Sequence, residues 1–225
     1  MRKSGIWFLT GTDTEIGKTH AACQLLARAR RQGLRAAGIK AVAAGVDETG
    51  VNEDARALAA ASSVPLPSTI QNPYCFKAPL SPHLAAAQEG RAVDLNEIVA
   101  AVAEARMHAD RVLVEGAGGF LCPLGETLTM ADLVQALGVP VIVVVGLRLG
   151  CLNHARLTVE AIESRQLILA GWIANCIDPN MAALEGNLAT LRRTIPAPCL
   201  GVIAHGSRRD EIGWLRWPDE IEMKC

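Results

Sequence analysis

The chain has few aromatic residues and almost no net charge. Phe, Tyr and Trp make up 4% of its 225 residues, whereas hydrophobic residues make up 50%. We therefore expect a core built mainly from Ala, Val, Leu and Ile. The formal net charge of −1 gives no overall electrostatic attraction to nucleic acid or to an anionic membrane.

Paired cysteines are also missing. The seven cysteines are an odd number and include no Cys-x-x-Cys pair. Cys151 and His154 have the spacing of metal ligands, but no second pair completes a site. This pattern disfavours a disulfide framework or a structural zinc site, and it is typical of reduced thiols in a cytoplasmic protein.

Long apolar runs are absent as well. The most apolar stretch, residues 139–147, is far shorter than the ~20 residues that a membrane-spanning helix needs. The N-terminus has too few apolar residues for a signal peptide. No linker or repeat divides the chain, so we expect a single domain over residues 1–225, large enough to fold without a disulfide or a structural metal.

The most informative segment is residues 11–19, with the sequence Gly-Thr-Asp-Thr-Glu-Ile-Gly-Lys-Thr. It lies between an apolar run and a segment with helical periodicity, which is the context of a phosphate-binding loop. The backbone N–H groups of such a loop hold phosphate oxygens, and Gly17 lets the backbone approach them closely. Lys18 would reach the terminal phosphates, and the Thr19 hydroxyl would bind Mg²⁺.

The spacing of this loop departs from the standard Gly-x-x-x-x-Gly-Lys-[Ser/Thr] pattern. That pattern places its first Gly at position 12, whereas this chain has Gly11 followed by Thr12. The alternative is a Gly-rich turn before a helix. We favour phosphate binding because Gly-Lys-Thr falls where the strand changes to a helix.

Strand-like and helix-like segments alternate through the rest of the chain. The predicted strands after the first are residues 35–43, 111–115, 141–145, 169–175 and 200–204. The predicted helices after the first are residues 54–61, 94–102, 129–138, a segment beginning near Cys151, and 180–194. Residues 64–82 are expected to be irregular, and residues 205–225 show no clear pattern. The alternation predicts an α/β fold with a predominantly parallel sheet and helices on both faces.

Five polar side chains fall at the carboxyl ends of predicted strands or at the start of the next element. They are Thr19, Lys40, Asp54, Glu115 and Asn175. Because the carboxyl ends of parallel strands share one edge of a sheet, these side chains predict a single ligand site. Each has an ordinary alternative: Lys40 could extend to the sheet edge, and Glu115 could be a simple strand-end charge.

Five segments together resemble the dethiobiotin synthetase family. They are residues 11–19, 38–45, 114–119, 150–155 and 171–175. The phosphate loop of that family carries an extra residue between its glycines, as this one does. The resemblance covers about residues 8–201. The loop alone would indicate only the broader P-loop class, whereas its combination with Gly-Cys-Leu-Asn-His at 150–154 is specific.

The resemblance implies a P-loop NTPase-like fold and an ATP-dependent cyclo-ligase. The family closes the ureido ring of dethiobiotin from 7,8-diaminononanoate and CO₂, with ATP and Mg²⁺, in biotin biosynthesis. One amine takes up CO₂ to form a carbamate, which attacks the γ-phosphate to give a carbamic–phosphoric anhydride. The second amine then closes the ring and expels phosphate. Such chemistry mainly needs positioned groups and neutralised charge.

Roles for individual residues follow from the same resemblance. Lys18, Lys40 and Thr14 are the implied catalytic residues, and Thr19, Asp54 and Glu115 are the implied Mg²⁺ ligands. The implied nucleotide-binding residues are Thr12, Asp13, Glu15, Ile16, Gly17, Lys18, Thr19, His20, Asp54, Glu115, Gly116, Ala117, Gly118, Asn175 and Cys176. The implied substrate-binding residues are Ala44, Gly150, Cys151, Leu152 and Asn153, the last four binding the substrate carboxylate across a homodimer interface.

Three positions depart from the family pattern. Ala44 stands where the family often has Ser or Thr, so a hydroxyl beside the diamine is missing. Asn187 stands where an aromatic residue can line the tail of the substrate. Residues 204–206 read Ala-His-Gly instead of a Pro-Trp-Leu-like stretch that contacts the base.

Other classes of protein share the phosphate loop. One is another P-loop ATP-dependent ligase or amidotransferase that acts on a different carboxylate. A second is a nucleotide-switched protein, either a partitioning-type ATPase or a GTPase, although no Asn-Lys-x-Asp guanine motif occurs. The last is a structural α/β domain with a Gly-rich turn.

Overall fold

Strands and helices alternate along the chain in the computed structural model, which describes residues 5–208 and 215–221. The strands are β1 (Gly5–Gly11), β2 (Ala36–Lys40), β3 (Val42–Ala44), β4 (Tyr74–Phe76), β5 (Arg111–Glu115), β6 (Val141–Gly146), β7 (Leu169–Asn175) and β8 (Cys199–Ile203). The helices are α1 (Lys18–Arg31), α2 (Glu53–Ala61), α3 (Ser68–Gln71), α4 (Pro82–Gln88), α5 (Leu95–His108), α6 (Met130–Leu137), α7 (Cys151–Glu163) and α8 (Leu184–Thr194). Pro218–Glu220 form a 3₁₀ turn.

Six strands form the main sheet in the order β2-β5-β1-β6-β7-β8, and every neighbouring pair is parallel. The α/β prediction is confirmed. β5 and β6 are buried along their whole length, as apolar strands covered on both faces should be. Because all six strands run in one direction, their carboxyl ends share one edge of the sheet.

The core lies on both faces of this sheet. In β1, Phe8 packs on one face while Trp7 and Leu9 pack on the other. Ala, Val, Leu and Ile supply most of the core, as the composition predicted. The few aromatic residues are concentrated there too, since all seven in the described part of the chain are buried.

The prediction of one strand over residues 35–43 is wrong. β2 ends at Lys40, and the chain then leaves the main sheet. β3 pairs in parallel with β4 to form a separate two-stranded sheet. The Ala41 N–H still donates to the Glu115 carbonyl (3.1 Å), which marks the last contact of this segment with β5.

The prediction of an irregular segment at residues 64–82 is also wrong, since it contains α3 and β4. A three-residue strand is too short to show alternation, and its pairing with β3 depends on tertiary contacts. α4 was not predicted at all. α8 begins at Leu184 instead of near residue 180, and Ala183 before it has the left-handed φ of 54°.

Polar side chains cap the starts of α5 and α6. Thr129 and Asp132 form a capping box at the start of α6, with the Thr129 N–H donating to Asp132 (2.7 Å). At α5, Asp94 caps through the Asn96 N–H (2.8 Å), but Glu97 accepts a hydrogen bond from the Tyr74 hydroxyl instead of closing a box.

Residues 215–221, which we term the C-terminal strap, lie against β1 and α1. The rings of Trp217 and Trp7 are 4.9 Å apart, and the Trp217 indole N–H donates to the Leu25 carbonyl (3.2 Å). Arg111 pairs with Asp219 through both of its terminal nitrogens (2.8 and 3.0 Å). The strap therefore fastens α1 to the sheet. Residues 209–214 and 222–225 lie outside the described structure.

Over the two described ranges, 5–208 and 215–221, the helices are all too short or too polar to cross a membrane.

Candidate functional site

A cleft of about 890 Å³ opens at the carboxyl edge of the main sheet. Its lining includes most of the polar residues that the strand ends predicted. The predicted site residues on its wall are Thr14, Glu15, Gly17, Lys18, Thr19, His20, Lys40, Ala44, Asp54, Ala117, Gly118 and Asn175. Residues not predicted also line it, among them Asn52, Pro79, Leu80, Ser81, Leu84, Cys122 and Ile177.

The phosphate loop joins β1 to α1. Gly17 has a φ of 82°, and a Cβ there would lie 2.1 Å from the side-chain nitrogen of Asn175. Glycine is therefore required for packing as well as for close approach of a phosphate. Glu15 is a non-glycine residue with a left-handed φ of 57°. Such strained backbone persists where the surroundings fix it, often at ligand sites.

Lys18, the first residue of α1, folds back over this loop. Its ammonium donates to the Asp13 carbonyl (2.8 Å) and the side chain is buried. Burial, followed by the nearby Lys40 ammonium, lowers the pKa of Lys18 to about 8. An anionic phosphate at this position would favour its charged form.

Asp13 and Arg148 form an ion pair that the sequence did not reveal. The Asp13 carboxylate accepts the Thr14 N–H (2.7 Å) and also pairs with Arg148, which lies just before α7. Both side chains are partly exposed. The pair links the phosphate loop to the segment just before α7.

The buried charges meet where β2 and β5 end. Lys40 and Glu115 are register partners on these adjacent strands. Lys40 Nζ donates to Glu115 Oε1 (2.7 Å) and to Asp54 Oδ2 (2.8 Å), and the Thr19 hydroxyl donates to Glu115 Oε1 (2.7 Å). The structure therefore brings four of the five predicted rim residues into one hydrogen-bonded cluster.

Lys40 is charged in this cluster. Burial alone would lower the pKa of its ammonium, but the charges of Glu115 and Asp54 outweigh burial and leave that pKa raised. Glu115 is fully buried. An unpaired carboxylate at that depth would be costly, so the lysine is its necessary counter-charge.

The oxygen atoms of the cluster suit Mg²⁺. Glu115 Oε2 is buried and has no hydrogen-bond partner among the described residues, so it can accept a further ligand. Asp54 and the Thr19 hydroxyl supply additional hard oxygens. The described residues contain no group of three or more His, Cys, Asp or Glu side chains that could hold a metal by themselves. Mg²⁺ is commonly bound by one or two carboxylates together with phosphate oxygens, which this set allows.

Asn175 closes the far side of the cleft. Its side-chain nitrogen donates to the Ile16 carbonyl (2.8 Å), which ties the end of β7 to the phosphate loop. The Cys176 N–H donates to the Ile203 carbonyl (2.9 Å). The predicted pair Asn175 and Cys176 thus stands beside the end of β8.

Residues 204–208 lie next to the predicted site residues Cys176 and His20, a contact that the sequence did not predict. His205 Nδ1 lies 3.1 Å from the Cys176 carbonyl oxygen, and the Ser207 hydroxyl lies 3.3 Å from His20 Nε2. Gln24 Nε2 lies 2.9 Å from the same His20 nitrogen. No local motif joins these segments, because only the tertiary fold brings the end of β8 to α1.

The four residues predicted to bind the substrate carboxylate do not line this cleft in the described chain. Gly150 has a φ of 95° and precedes α7, so Cys151, Leu152 and Asn153 form the first turn of that helix. The neighbouring Leu149 is 94% exposed. Asn187 lies on α8 and donates to the Ala183 carbonyl (3.0 Å), away from the lining of the cleft.

Comparisons with known proteins place the chain among nucleotide-dependent enzymes. A family model described as an AAA domain matches residues 7–208. An ATP-dependent dethiobiotin synthetase BioD of Aromatoleum aromaticum is 54% identical over 213 residues, which are 93% of this chain and 95% of the relative. Another, from Ralstonia nicotianae, is 54% identical over 206 residues, which are 90% of each chain.

Solved structures show the same fold at low identity. A ParA family ATPase from Chlorobium tepidum has a TM-score of 0.55 at 13% identity, covering 91% of this chain and 86% of that one. A chain of the MinC:MinD cell division complex of Aquifex aeolicus has a TM-score of 0.56 at 13% identity, covering 89% and 81%. These likenesses show a P-loop NTPase-like fold and nothing further.

Proposed function

The chain belongs to the ATP-dependent dethiobiotin synthetases, and on this premise we propose that the cleft at the carboxyl edge of its sheet is the active site. The enzyme is an ATP-dependent ligase that closes the ureido ring of dethiobiotin from 7,8-diaminononanoate and CO₂. ATP and Mg²⁺ take part. The observation that carries the site assignment is the buried cluster of Lys40, Asp54, Glu115 and Thr19 beside Lys18 and the phosphate loop.

The reaction has two steps, and both take place among negatively charged phosphate and carbamate oxygens. A carbamate oxygen attacks the γ-phosphorus and ADP leaves, which gives the carbamic–phosphoric anhydride. The second amine then attacks the carbonyl carbon, and inorganic phosphate leaves. In both steps the protein mainly has to hold the reactants in line and offset their charge.

Different groups in the cleft would hold the phosphate and the carbamate oxygens. The loop amides from Thr12 to Gly17, together with Lys18, would hold the phosphate oxygens, while Lys40 would face the carbamate. Thr14 lies on the same wall and would hold an oxygen of either group. Preorganised cations in a buried site stabilise developing charge far better than they do in water.

Thr19, Asp54 and Glu115 are the residues that would hold Mg²⁺. When bound there, the ion neutralises phosphate charge. Gly116, Ala117 and Gly118 follow Glu115 directly, and Ala117 and Gly118 line the cleft, where they would pack against the nucleotide.

The adenine would lie beside Asn175 and Cys176, at the ends of β7 and β8, with His20 on the adjoining wall. The supporting observation is that Asn175 and His20 line the same cleft as Lys18. The Ile16 carbonyl accepts a hydrogen bond from the Asn175 side chain and so fixes the orientation of that side chain.

The diamine would lie on the side of the cleft formed by Ala44 and residues 79–82. Its carboxylate would bind at the start of α7, at Gly150, Cys151, Leu152 and Asn153, in a second copy of the chain. Two observations support a homodimer: this helix start lies outside the cleft of its own chain, and Leu149 beside it is almost fully exposed. Helix N-termini are favourable sites for carboxylates.

We place this enzyme in the cytoplasm, since seven scattered cysteines without a pairing pattern suit a reducing compartment. We also treat residues 1–225 as one domain, supported by two core clusters that share the same central sheet.

Product formation with purified protein tests the proposed function. We expect dethiobiotin and inorganic phosphate to appear together from 7,8-diaminononanoate, bicarbonate and MgATP, measured by mass spectrometry and a phosphate assay. Omitting either the diamine or bicarbonate should abolish phosphate release. Steady ATP cleavage without both of them would instead favour a nucleotide-switched ATPase.

A further inference from the structure

The Lys40 ammonium lies between the two carboxylates that are proposed to bind the metal. It is 2.7 Å from Glu115 Oε1 and 2.8 Å from Asp54 Oδ2, with the Gly116 carbonyl oxygen at 3.5 Å. Lys40 is 4% exposed and Glu115 is fully buried. This ammonium is therefore a fixed internal cation, held by the same oxygens that a divalent ion would use.

A divalent ion and this ammonium compete for the same place. Mg²⁺–oxygen bonds are about 2.1 Å long, so an ion bound to either of these oxygens would lie within about 5 Å of Lys40 Nζ. At that separation three positive charges would face two carboxylates, that of Glu115 fully buried and that of Asp54 partly exposed. The repulsion disfavours the metal as long as Lys40 keeps its present position.

We propose that Lys40 excludes the divalent ion from the Thr19–Asp54–Glu115 site until a nucleotide binds, and that the ion's arrival releases Lys40 to the anionic substrate. The inference rests on the proposed site and adds an order of events to it. Nucleotide phosphates would supply both the missing metal ligands and a new anionic partner for the ammonium.

The exchange keeps every buried charge paired. Before nucleotide binds, the Glu115 carboxylate is neutralised by Lys40, and afterwards it would be neutralised by the ion. A buried carboxylate without either partner would be strongly unfavourable. Lys40 thus has a role in the nucleotide-free protein that is separate from its role beside the carbamate.

Mn²⁺ binding in the absence of nucleotide tests this inference without any catalytic readout. Free Mn²⁺ is followed by electron paramagnetic resonance during titration of the full-length protein and two variants. We expect Lys40→Gln, which removes the charge but keeps a hydrogen-bond donor, to bind Mn²⁺ at least tenfold more tightly than wild type. Lys40→Arg keeps a cation at this position and should bind as weakly as wild type.

A double variant tests whether the additional Mn²⁺ binds at Asp54. Adding Asp54→Asn to Lys40→Gln should return the Mn²⁺ affinity to the wild-type level. If Lys40→Gln binds no more tightly than wild type, or if the tighter binding persists without Asp54, the inference is wrong.

Crystals of the wild-type protein supply a test that needs no variant to fold. Soaking with Mn²⁺ alone should leave Lys40 on Asp54 and Glu115 with no anomalous peak between them. Soaking with Mn²⁺ and a non-hydrolysable ATP analogue should give the peak and move the ammonium away. Mn²⁺ on both carboxylates without nucleotide, or Lys40 unmoved beside bound Mn²⁺, would overturn the inference. Because neither experiment uses the diamine, a failed dethiobiotin assay would leave this result standing.

Discussion

At the scale of single residues, the side-chain amide of Asn175 is held in one orientation, and we expect this orientation to favour one nucleotide base over another. The Ile16 carbonyl can only accept a hydrogen bond, so it must face the side-chain nitrogen of Asn175 (2.8 Å). The side-chain oxygen is then left as an acceptor on the wall of the cleft. Adenine offers an amino group to such an acceptor, whereas guanine offers a carbonyl oxygen at the same ring position.

We therefore expect the wild-type enzyme to prefer ATP to GTP, and Asn175→Ala to lose much of that preference. One neutral hydrogen bond contributes about 0.5–1.5 kcal/mol, so the ratio of kcat/KM for ATP over GTP should fall by a factor of about 2 to 12. Competing-substrate kinetics measure this ratio. Asn180→Ala, at an exposed position beyond β7, is the matched control and should leave it unchanged. An unchanged ratio in Asn175→Ala would remove the residue from base selection.

The buried cluster shows which residues a sequence can reveal. Its members, Thr19, Lys40, Asp54 and Glu115, were predicted because each stands near a strand end or starts the following element, and parallel strands bring those ends together. The ion pair of Asp13 with Arg148 was not predicted. It joins two loops far apart in the chain through exposed side chains, and neither loop carries a pattern that indicates the other.

At the scale of elements, the C-terminal strap controls the position of α1. The Arg111 guanidinium lies against both indole rings of the Trp7–Trp217 pair, 5.2 Å from the ring of Trp7 and 4.9 Å from that of Trp217. Glu220 pairs with Arg28 of α1 (2.6 Å). α1 also carries Lys18 and Thr19 at its first turn, so the strap holds the helix on which two site residues are mounted.

Trp217→Ala should lower the free energy of unfolding by about 3–5 kcal/mol, because it removes a fully buried indole and leaves a cavity between α1 and β1. Urea denaturation followed by circular dichroism measures the loss. Arg216→Ala changes the exposed neighbouring residue and should alter stability by less than about 0.5 kcal/mol. A loss below ~1 kcal/mol in Trp217→Ala would show that the strap does not stabilise α1.

Elements differ in how far the sequence predicts them. β5, β6 and β7 are buried parallel strands, and their apolar runs predicted their bounds to within a residue. The sequence did not predict β3 and β4 as separate strands, because three residues are too few to show a periodic pattern. In addition, only Ala41 separates β3 from β2. The sequence did not predict the structure of the strap. Its position depends on the contact between Trp7 and Trp217, which lie far apart in the sequence and meet only in the folded chain.

At the scale of the whole molecule, large apolar side chains remain exposed around the cleft and the start of α7. Leu149 is 94% exposed and Leu157 is 57% exposed, while Leu80 and Leu84 on the cleft wall are 45% and 51% exposed. Exposed apolar surface of this kind is typical of an interaction site. A second copy of the chain is the partner that the proposed carboxylate site requires.

A mixing experiment tests whether the active site is shared between two chains. Lys18→Ala disables the nucleotide side of the cleft, and Asn153→Ala disables the proposed carboxylate side. Each variant alone should be nearly inactive. After random exchange of subunits in a C₂ dimer, half of the molecules carry one intact site, so activity should recover to about one quarter of wild type. Absence of recovery, with exchange verified by native mass spectrometry, would place both residues in the site of one chain.

The order of the strands has a consequence for how the protein is made. β1 is the first described strand, yet Gly5 pairs with Arg111 and Phe8 pairs with Val141. A ribosome adds about 5–20 residues per second, so β1 waits on the order of ten seconds for its two neighbours. During that interval its apolar run has no sheet to enter. We expect this nascent segment to be where a chaperone first engages the chain, and the nucleotide cleft to form only late in synthesis.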